Sequence, residues 1–553
     1  MVSRCRKSSG LILICLICGL ASTSGFRAEA QTLGYNYFYR IYFTDKGTYN
    51  TGTFRAPELL SNRAIARRIR YGIIYPDYYD LPVYGDYLKQ VSQAGLVLHC
   101  TSKWMNTGLF KSVTPVETAL LENLPFVSRV LLVKKPGLKN SQPSKLDLSF
   151  ESTYIHGYDN PLVMINGIEV QNSGFRGEGV VIAVLDGGFY RANTISSLSL
   201  LRARNGIKGT RDFILKSDNV YGYHNHGTAV LSVLAGDVPG YIQGSAPGAL
   251  FWLFRTEDVS SEFPVEEDFW AAAAEFADSI GADVISSSLG YSTFDDPEMD
   301  YKFTDMNGSN AFVTRAADIA ASKGILVVSS AGNERNKPWL RIVAPSDGKS
   351  VLSAGAVDAN NNIASFSSAG PSADSRVKPD NVAQGVAVTL QVYDTVFSQG
   401  SGTSFSCPVL SGMGACILQA VPQASPSEII NALHKSGDKA EIPDSLYGYG
   451  LPDIRAAIDT LQKKLLLKNL KDLTLWPNPF TDCFDIFFSE PPGVLRVEIF
   501  SQTGQKIYTK SYINYISRTL RINEMNIREQ GIYFVRITTG NTTKVLKTVK
   551  LAH

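Results

Sequence analysis

Between about residues 165 and 460, short apolar runs of buried-strand type alternate with helical stretches, and this constrains the fold more than any other feature. The runs are Val180 to Leu185, Leu250 to Phe254, Asp283 to Ser287, Ile325 to Ser329 and Val351 to Ala356. Helical patterns such as Glu267 to Ser279 and Asn310 to Lys323 lie between them. Strands that are apolar throughout, each followed by a crossover helix, make a parallel sheet covered on both faces. In such sheets the functional groups gather beyond the carboxyl ends of the strands. Asp186 directly follows one of these runs.

Two further polar residues fall at predicted helix starts. His226 precedes the small-residue stretch Gly227 to Ala235, and Ser404 follows Gly402 and opens an apolar stretch to about Ala420. A serine at a helix N-terminus sits beside free backbone N–H groups and the positive end of the helix dipole. Pro408 is expected in the first turn of that helix, where proline costs little, and Gly412 and Gly414 leave room for close packing beneath it. Asn333 ends Ser329-Ser330-Ala331-Gly332-Asn333 after another buried run, where its amide can donate to an oxyanion. Taken singly, each residue has an ordinary reading: a helix cap, a core histidine, a Gly-Asn turn. An acid, a base and a nucleophile in the order Asp, His, Ser on one parallel sheet is what acyl transfer to a serine hydroxyl requires.

Other chemistries fit less well. His224 and His226 would suit paired metal ligands, but no Glu or Cys spacing nearby supports zinc. A nucleophile elbow of α/β-hydrolase type needs Gly-x-Ser-x-Gly and the order Ser, acid, His; here Ser406 takes the place of the second glycine and the order differs. Cys407 lies one turn inside the helix without a base of its own and reads as a small buried residue.

These segments resemble the subtilisin-like serine proteases, or subtilases, over about residues 165 to 460. The resemblance implies an α/β fold: a subtilisin-like parallel sheet with helices on both faces, preceded by a small α+β prodomain and followed by a small β-sandwich. It implies an endopeptidase working through an acyl-enzyme, with Asp186 orienting His226, His226 as general base and acid, Ser404 as nucleophile and Asn333 as oxyanion donor. Ser288, Leu289 and Gly290 resemble the strand on which substrate backbone pairs, and Ala331 and Gly332 the facing wall of the pocket for the residue before the scissile bond. The chain departs from the pattern at Gly187, at Phe405-Ser406-Cys407 and at Tyr291, which replaces a glycine expected at the pocket rim. The resemblance implies chemistry that needs no cofactor; structural calcium, common in the family, stays open, with no residues assigned to it from the sequence. The acidic stretch Asp295, Asp296, Glu298, Asp300 and Asp305 reads as solvated surface.

The flanks extend the reading. With 553 residues the chain holds several folding units. Residues 1–30 read as a signal peptide: Arg4, Arg6 and Lys7, an apolar run from Leu11 to Ala21, and Ala28-Glu29-Ala30 before Gln31. Cys15 and Cys18 each follow an isoleucine where a lipoprotein wants a small residue. Residues 31–150 are expected to form an inhibitory propeptide and linker, with strands at Tyr37 to Phe43, Leu96 to Cys100 and Val127 to Val133 and a helix from Pro57 to Arg70. Arg63, Arg67, Arg68 and Arg70 read as the solvated face of that helix, and Pro136 to Lys145 as an exposed linker. The catalytic unit is expected over residues 151–468. Residues 469–553, from Trp476-Pro477-Asn478-Pro479 through the strand at Gly531, look like a type IX secretion sorting domain. Export through the periplasm and outer membrane to the surface or medium follows, with protein or peptide substrates and the outer-membrane secretion machinery as partners. No stable membrane span is read, and a net charge of +2 implies no nucleic-acid partner.

Overall fold

Seven parallel strands form the central sheet. Their spatial order is Asn381–Gln384, Val351–Val357, Leu326–Ser330, Val284–Ser287, Val181–Asp186, Leu250–Arg255 and Ile207–Asp212. Successive side chains point to opposite faces. Ile182 and Val184 join the core under the helices His226–Ala235 and Thr403–Ala420. Val181, Ala183 and Leu185 join a second core under Val265–Ile280 and Phe312–Ser322. Both faces are covered, which is why these strands carry apolar residues at every position. The edge strands at Ile207 and Asn381 carry polar residues and have no signature in the apolar pattern.

This computed structural model describes residues 37–136, 146, 160–393, 396–470, 472–523, 529–540 and 542–551. The signal-peptide reading of residues 1–30 and the linker reading from Gly137 to Lys145 lie outside them.

The N-terminal unit is a four-stranded antiparallel sheet in the order Val97–Ser102, Thr107–Ser112, Tyr37–Phe43 and Val127–Lys134. The single helix expected from Pro57 to Arg70 is two, Ala56–Leu59 and Asn62–Tyr71. Ser61 starts the second by accepting a hydrogen bond from Ala64 N–H.

The arginines of this second helix are not a solvated face. Arg67 and Arg68 are 1% and 0% exposed. Arg67 Nε donates to Lys323 O at 3.0 Å, and its guanidinium also reaches Ala282 O and the Asp278 carboxylate. Arg68 spans Asp80 at 2.9 Å and Asp278 at 2.7 Å. Arg63 pairs with Asp283, which leaves Arg70 as the exposed member. Arg40 adds a bridge to Asp268 at 2.6 Å while its guanidinium lies over the Phe312 ring. Arg63, Arg67 and Arg68 sit at the C-terminal ends of the helices Val265–Ile280 and Phe312–Ser322, where orphan carbonyls favour cations, whereas Arg40 meets the first turns of both helices. Their partners are up to 256 residues away in sequence, so a local charge pattern cannot reveal them.

The C-terminal unit packs a three-stranded sheet (Thr474–Trp476, Phe484–Phe487, Thr519–Ile522) on a four-stranded one (Lys506–Tyr515, Gly493–Ser501, Gly531–Thr539, Thr542–Lys550). Phe484, Ile486, Val497, Ile499 and Val535 fill the space between them, as a β-sandwich requires.

Two outcomes follow for a Ser404→Ala chain, used so that proteolysis does not intervene. Arg67→Ala leaves the buried Asp278 with Arg68 alone and the carbonyls of Ala282 and Lys323 without their guanidinium donor, and should lower the unfolding free energy of the N-terminal and central units by about 3 kcal/mol in urea titrations. The second concerns His99, which is 5% exposed. Its Nε2 bonds Phe213 O at 3.0 Å, and its buried Nδ1 has no hydrogen-bond partner among the described residues. Burial lowers its pKa from 6.5 to about 4. Above pH 6.5 the ring is neutral folded or unfolded; below it the unfolded chain takes the proton first. Stability is therefore lost as pH falls from 6.5 towards 4. Burial pushes Glu267, Asp268 and Glu275 upward, which gives the opposite slope. Comparison with His99→Gln cancels those carboxylates: between pH 7.5 and 4.5 the histidine chain should lose about 2–3 kcal/mol more than the glutamine chain.

Candidate active site

Asp186 is the last residue of the strand Val181–Asp186 and is fully buried. Its carboxylate accepts the Gly187 N–H at 2.7 Å, which fixes its orientation. Both carboxylate oxygens lie 2.9 Å from His226 Nδ1. An ionised carboxylate only accepts, so Nδ1 carries the proton and Nε2 is the basic nitrogen. His226 begins its helix next to this strand end because Gly227 allows it: a Cβ there would come within 2.5 Å of Gly188 O and 2.9 Å of Asp186 Cβ. His224, the rival metal partner, instead accepts the His226 N–H at Nδ1, 3.2 Å away.

Ser404 is the second residue of the helix Thr403–Ala420, so Pro408 falls in the second turn rather than the first. There its missing N–H deprives Ser404 O of its helical donor. Ser288 Oγ supplies one instead, at 2.9 Å. The helix defect thus joins Ser404 to the segment after the strand Val284–Ser287. Ser404 Oγ lies 3.5 Å from Ser288 O. Among the described residues no hydrogen bond joins it to His226; the Phe405 ring stands 6.2 Å from the His226 ring.

Asn333 follows the strand Leu326–Ser330. Its Oδ1 accepts both the N–H and the hydroxyl of Thr403, each at 2.9 Å. The amide's other end, Nδ2, consequently faces the Gly402–Ser404 turn. A Cβ placed on Gly402 would lie 3.5 Å from Nδ2 and 3.7 Å from Ser404 N, so these two donors border one small space. Ser288 lies beside Ser404, with Leu289 and Gly290 next in sequence, and Gly332 is tied to Thr403 Oγ1 at 3.3 Å. The sequence-read residues therefore lie at the carboxyl edge of three central strands and the starts of two helices.

Comparison with known proteins gives the family. Residues 177–450 match the family model described as the subtilase family. This chain belongs to the subtilase family. Residues 38–149 match the propeptide domain of such peptidases in Bacteroidota, and residues 474–551 a secretion system C-terminal sorting domain. Subtilisin DY of Bacillus licheniformis is 29% identical over 303 residues, 54% of this chain and 97% of that protein. Serine protease AprX of Bacillus subtilis is 30% identical over 308 residues, covering 50% and 65%. Among solved structures, MycP1 with its N-terminal propeptide removed aligns over 54% of this chain and 96% of its own, at 24% identity and TM-score 0.43. The chain is thus a serine endopeptidase made with a propeptide, and its sorting domain marks it for export to the surface or medium. Among the described residues no helix is long and apolar enough to cross a membrane.

In this subtilase the propeptide reaches the site. Leu146, inside the matched propeptide range, is 4% exposed and packs in the core that includes Leu185. Its Cδ1 would stand 2.6 Å from a Cβ on Gly187, so a side chain there would displace it. Gly187, one of the sequence departures, gives this leucine its place beside Asp186.

Two other sequence readings change. Tyr291 is not at a pocket rim: it is fully buried, donates its hydroxyl to Glu257, and burial raises its pKa well above the usual phenol value. The acidic stretch is only partly solvated. Asp295 accepts Glu262 N–H, Asp300 accepts Phe294 N–H, and Asp296 pairs with Lys135 of the propeptide at 2.6 Å.

Cys407 is fully buried with Sγ 3.5 Å from Ser287 O and Val328 O. Burial pushes its thiol up to about 12. At pH 8 iodoacetamide should leave Cys407 unmodified in the native protein and alkylate it in urea, as read by peptide mass mapping; native labelling would contradict this environment.

Proposed function

We propose that Asp186, His226 and Ser404 form the acyl-transfer triad of this protease and that Asn333 completes its oxyanion hole. The observation that carries the reading is the two-oxygen contact of Asp186 with His226 Nδ1, made beside a serine at a helix N-terminus. His226 Nε2 takes the Ser404 proton as Oγ attacks a peptide carbonyl. The imidazolium formed is stabilised by Asp186, which stays ionised. The negative charge moves onto the carbonyl oxygen, in the space bordered by Asn333 Nδ2 and Ser404 N–H. His226 then returns the proton to the leaving amine. Water, deprotonated by the same imidazole, releases the acyl group. These steps use protein groups and water alone.

Substrate backbone pairs along Ser288, Leu289 and Gly290 as an added strand, with Ala331 and Gly332 forming the facing wall. Ser288 couples that strand to the nucleophile, because its hydroxyl holds Ser404 O. The N-terminal unit acts as the brake until export, and Leu146 against Gly187 supports this, since it occupies space next to the acid of the triad. The C-terminal unit addresses the chain to the outer-membrane secretion machinery.

The test compares the processed protein with single variants. Ser404→Ala should abolish labelling by a fluorophosphonate probe and lower turnover by about 10⁶. Asn333→Ala should keep the label but lower kcat by about 10²–10³ with little change in KM. Unchanged labelling in Ser404→Ala, or a KM effect alone in Asn333→Ala, would overturn these assignments.

A further inference from the structure

The two walls named above leave open which side chain fits between them. In the proposed mechanism the scissile carbonyl carbon sits within about 3–3.5 Å of Ser404 Oγ, with its oxygen toward Asn333. The preceding Cα is bonded to that carbon at about 1.5 Å, so its side chain starts next to Gly332 and runs between the walls.

One residue occupies the far end of that slot. Val343 N–H donates to Ala331 O at 3.2 Å. Its neighbour Ala344 exchanges hydrogen bonds with Tyr291 at 2.8 and 3.1 Å. The Val343-Ala344 segment is thereby fastened to one wall on each side, and Ser330 Oγ ties the walls together through Leu289 O at 3.4 Å. The isopropyl group fills the gap. A Cβ built on Gly290 would collide with Val343 Cγ2, and one on Gly332 would come within 3.0 Å of the same methyl and 3.2 Å of Cγ1. Both glycines thus face this one side chain, and their lack of a Cβ is what keeps any slot open. The walls Ser288, Leu289, Gly290, Ala331 and Gly332 bring no ionisable group.

We propose that Val343 closes the pocket for the side chain preceding the scissile bond, so that this protease selects small, uncharged residues there and rejects aromatic ones. The inference rests on the triad reading above. Tyr291, the departure that left the preference open in sequence, acts only through the backbone: it anchors Ala344 while its ring is buried beneath the wall.

The test uses the processed protein and N-blocked tetrapeptide p-nitroanilides that differ only in the last residue, Ala or Phe. Active-enzyme concentration is set by fluorophosphonate titration. Wild type should cleave the Ala peptide with kcat/KM at least tenfold above the Phe peptide. Val343→Gly should raise the Phe-to-Ala ratio by about 30-fold or more, in line with what several methylenes contribute in an apolar pocket. Val343→Ala should move it the same way by less, and serves as the readout should the glycine variant not fold. A merely structural role would lower both activities together and leave the ratio unchanged, which overturns the proposal. Equal cleavage of both peptides by wild type overturns it too. A protein that takes no label at Ser404 and cleaves neither peptide defeats the triad reading itself, a result distinguishable from a labelled enzyme with the wrong preference.

Discussion

How closely the helix Thr403–Ala420 approaches the sheet decides where Ser404 stands, and the rest of the site is arranged around that approach. The helix is buried over nearly its whole length. It can lie this close because Gly412 abuts Ser245 and Gly414 abuts Leu326, positions where a Cβ would overlap the neighbour. Its N-terminus then arrives level with the carboxyl ends of the strands that carry Asp186, Ser288 and Asn333. Pro408 opens the backbone ladder at the one carbonyl that Ser288 can reach from that edge. Thr403 uses the first free N–H of the helix on Asn333. A helix terminus normally leaves such groups to water; here they are the connections among segments far apart in sequence.

What the sequence reveals and what it hides divide along physical lines. Asp186, His226, Ser404 and Asn333 are legible because each interrupts an apolar element at its end, and strand and helix ends leave local signatures. The central strands Val181–Asp186 and Val284–Ser287 are legible because both faces are buried. The edge strand Ile207–Asp212 is not, because half its surface is open and its residues are polar. Arg67 and Arg68 mislead for another reason. An arginine-rich helix looks solvated when read alone, and the carboxylate of Asp278, more than two hundred residues away, joins Asp80 in turning that face inward. Tyr291 misleads in the same way, since its burial depends on Glu257. Val343 has no local signature: a valine before an Ala-Pro step becomes informative only when two glycines from other strands are found against it.

The propeptide and the catalytic unit share their buried charges, and this ties the folding of one to the other. Asp278 is neutralised by two arginines that both belong to the propeptide, and Asp268 by a third. Glu275 accepts the Ser102 hydroxyl at 2.5 Å and the N–H groups of Lys103 and Trp104 at 2.9 and 3.0 Å. A catalytic unit without its propeptide must return these carboxylates to water, which is easy for a surface helix but impossible for a buried one. The acids therefore lie on the outward side of Val265–Ile280, while its alanines, Ala273, Ala274 and Ala277, pack on the sheet. The propeptide thus grips the molecule by polar contacts on the far side of one helix layer and by apolar ones, Trp104, Met105, Leu109 and Val133, that share a core with that helix, and it reaches the cleft at Leu146. Separating the units wets these ions and uncovers the apolar patch that met Trp104, Met105, Leu109 and Val133. This lets one surface be buried in the precursor and wetted in the mature enzyme while the helices that begin at His226 and Thr403, on the opposite face of the sheet, stay packed.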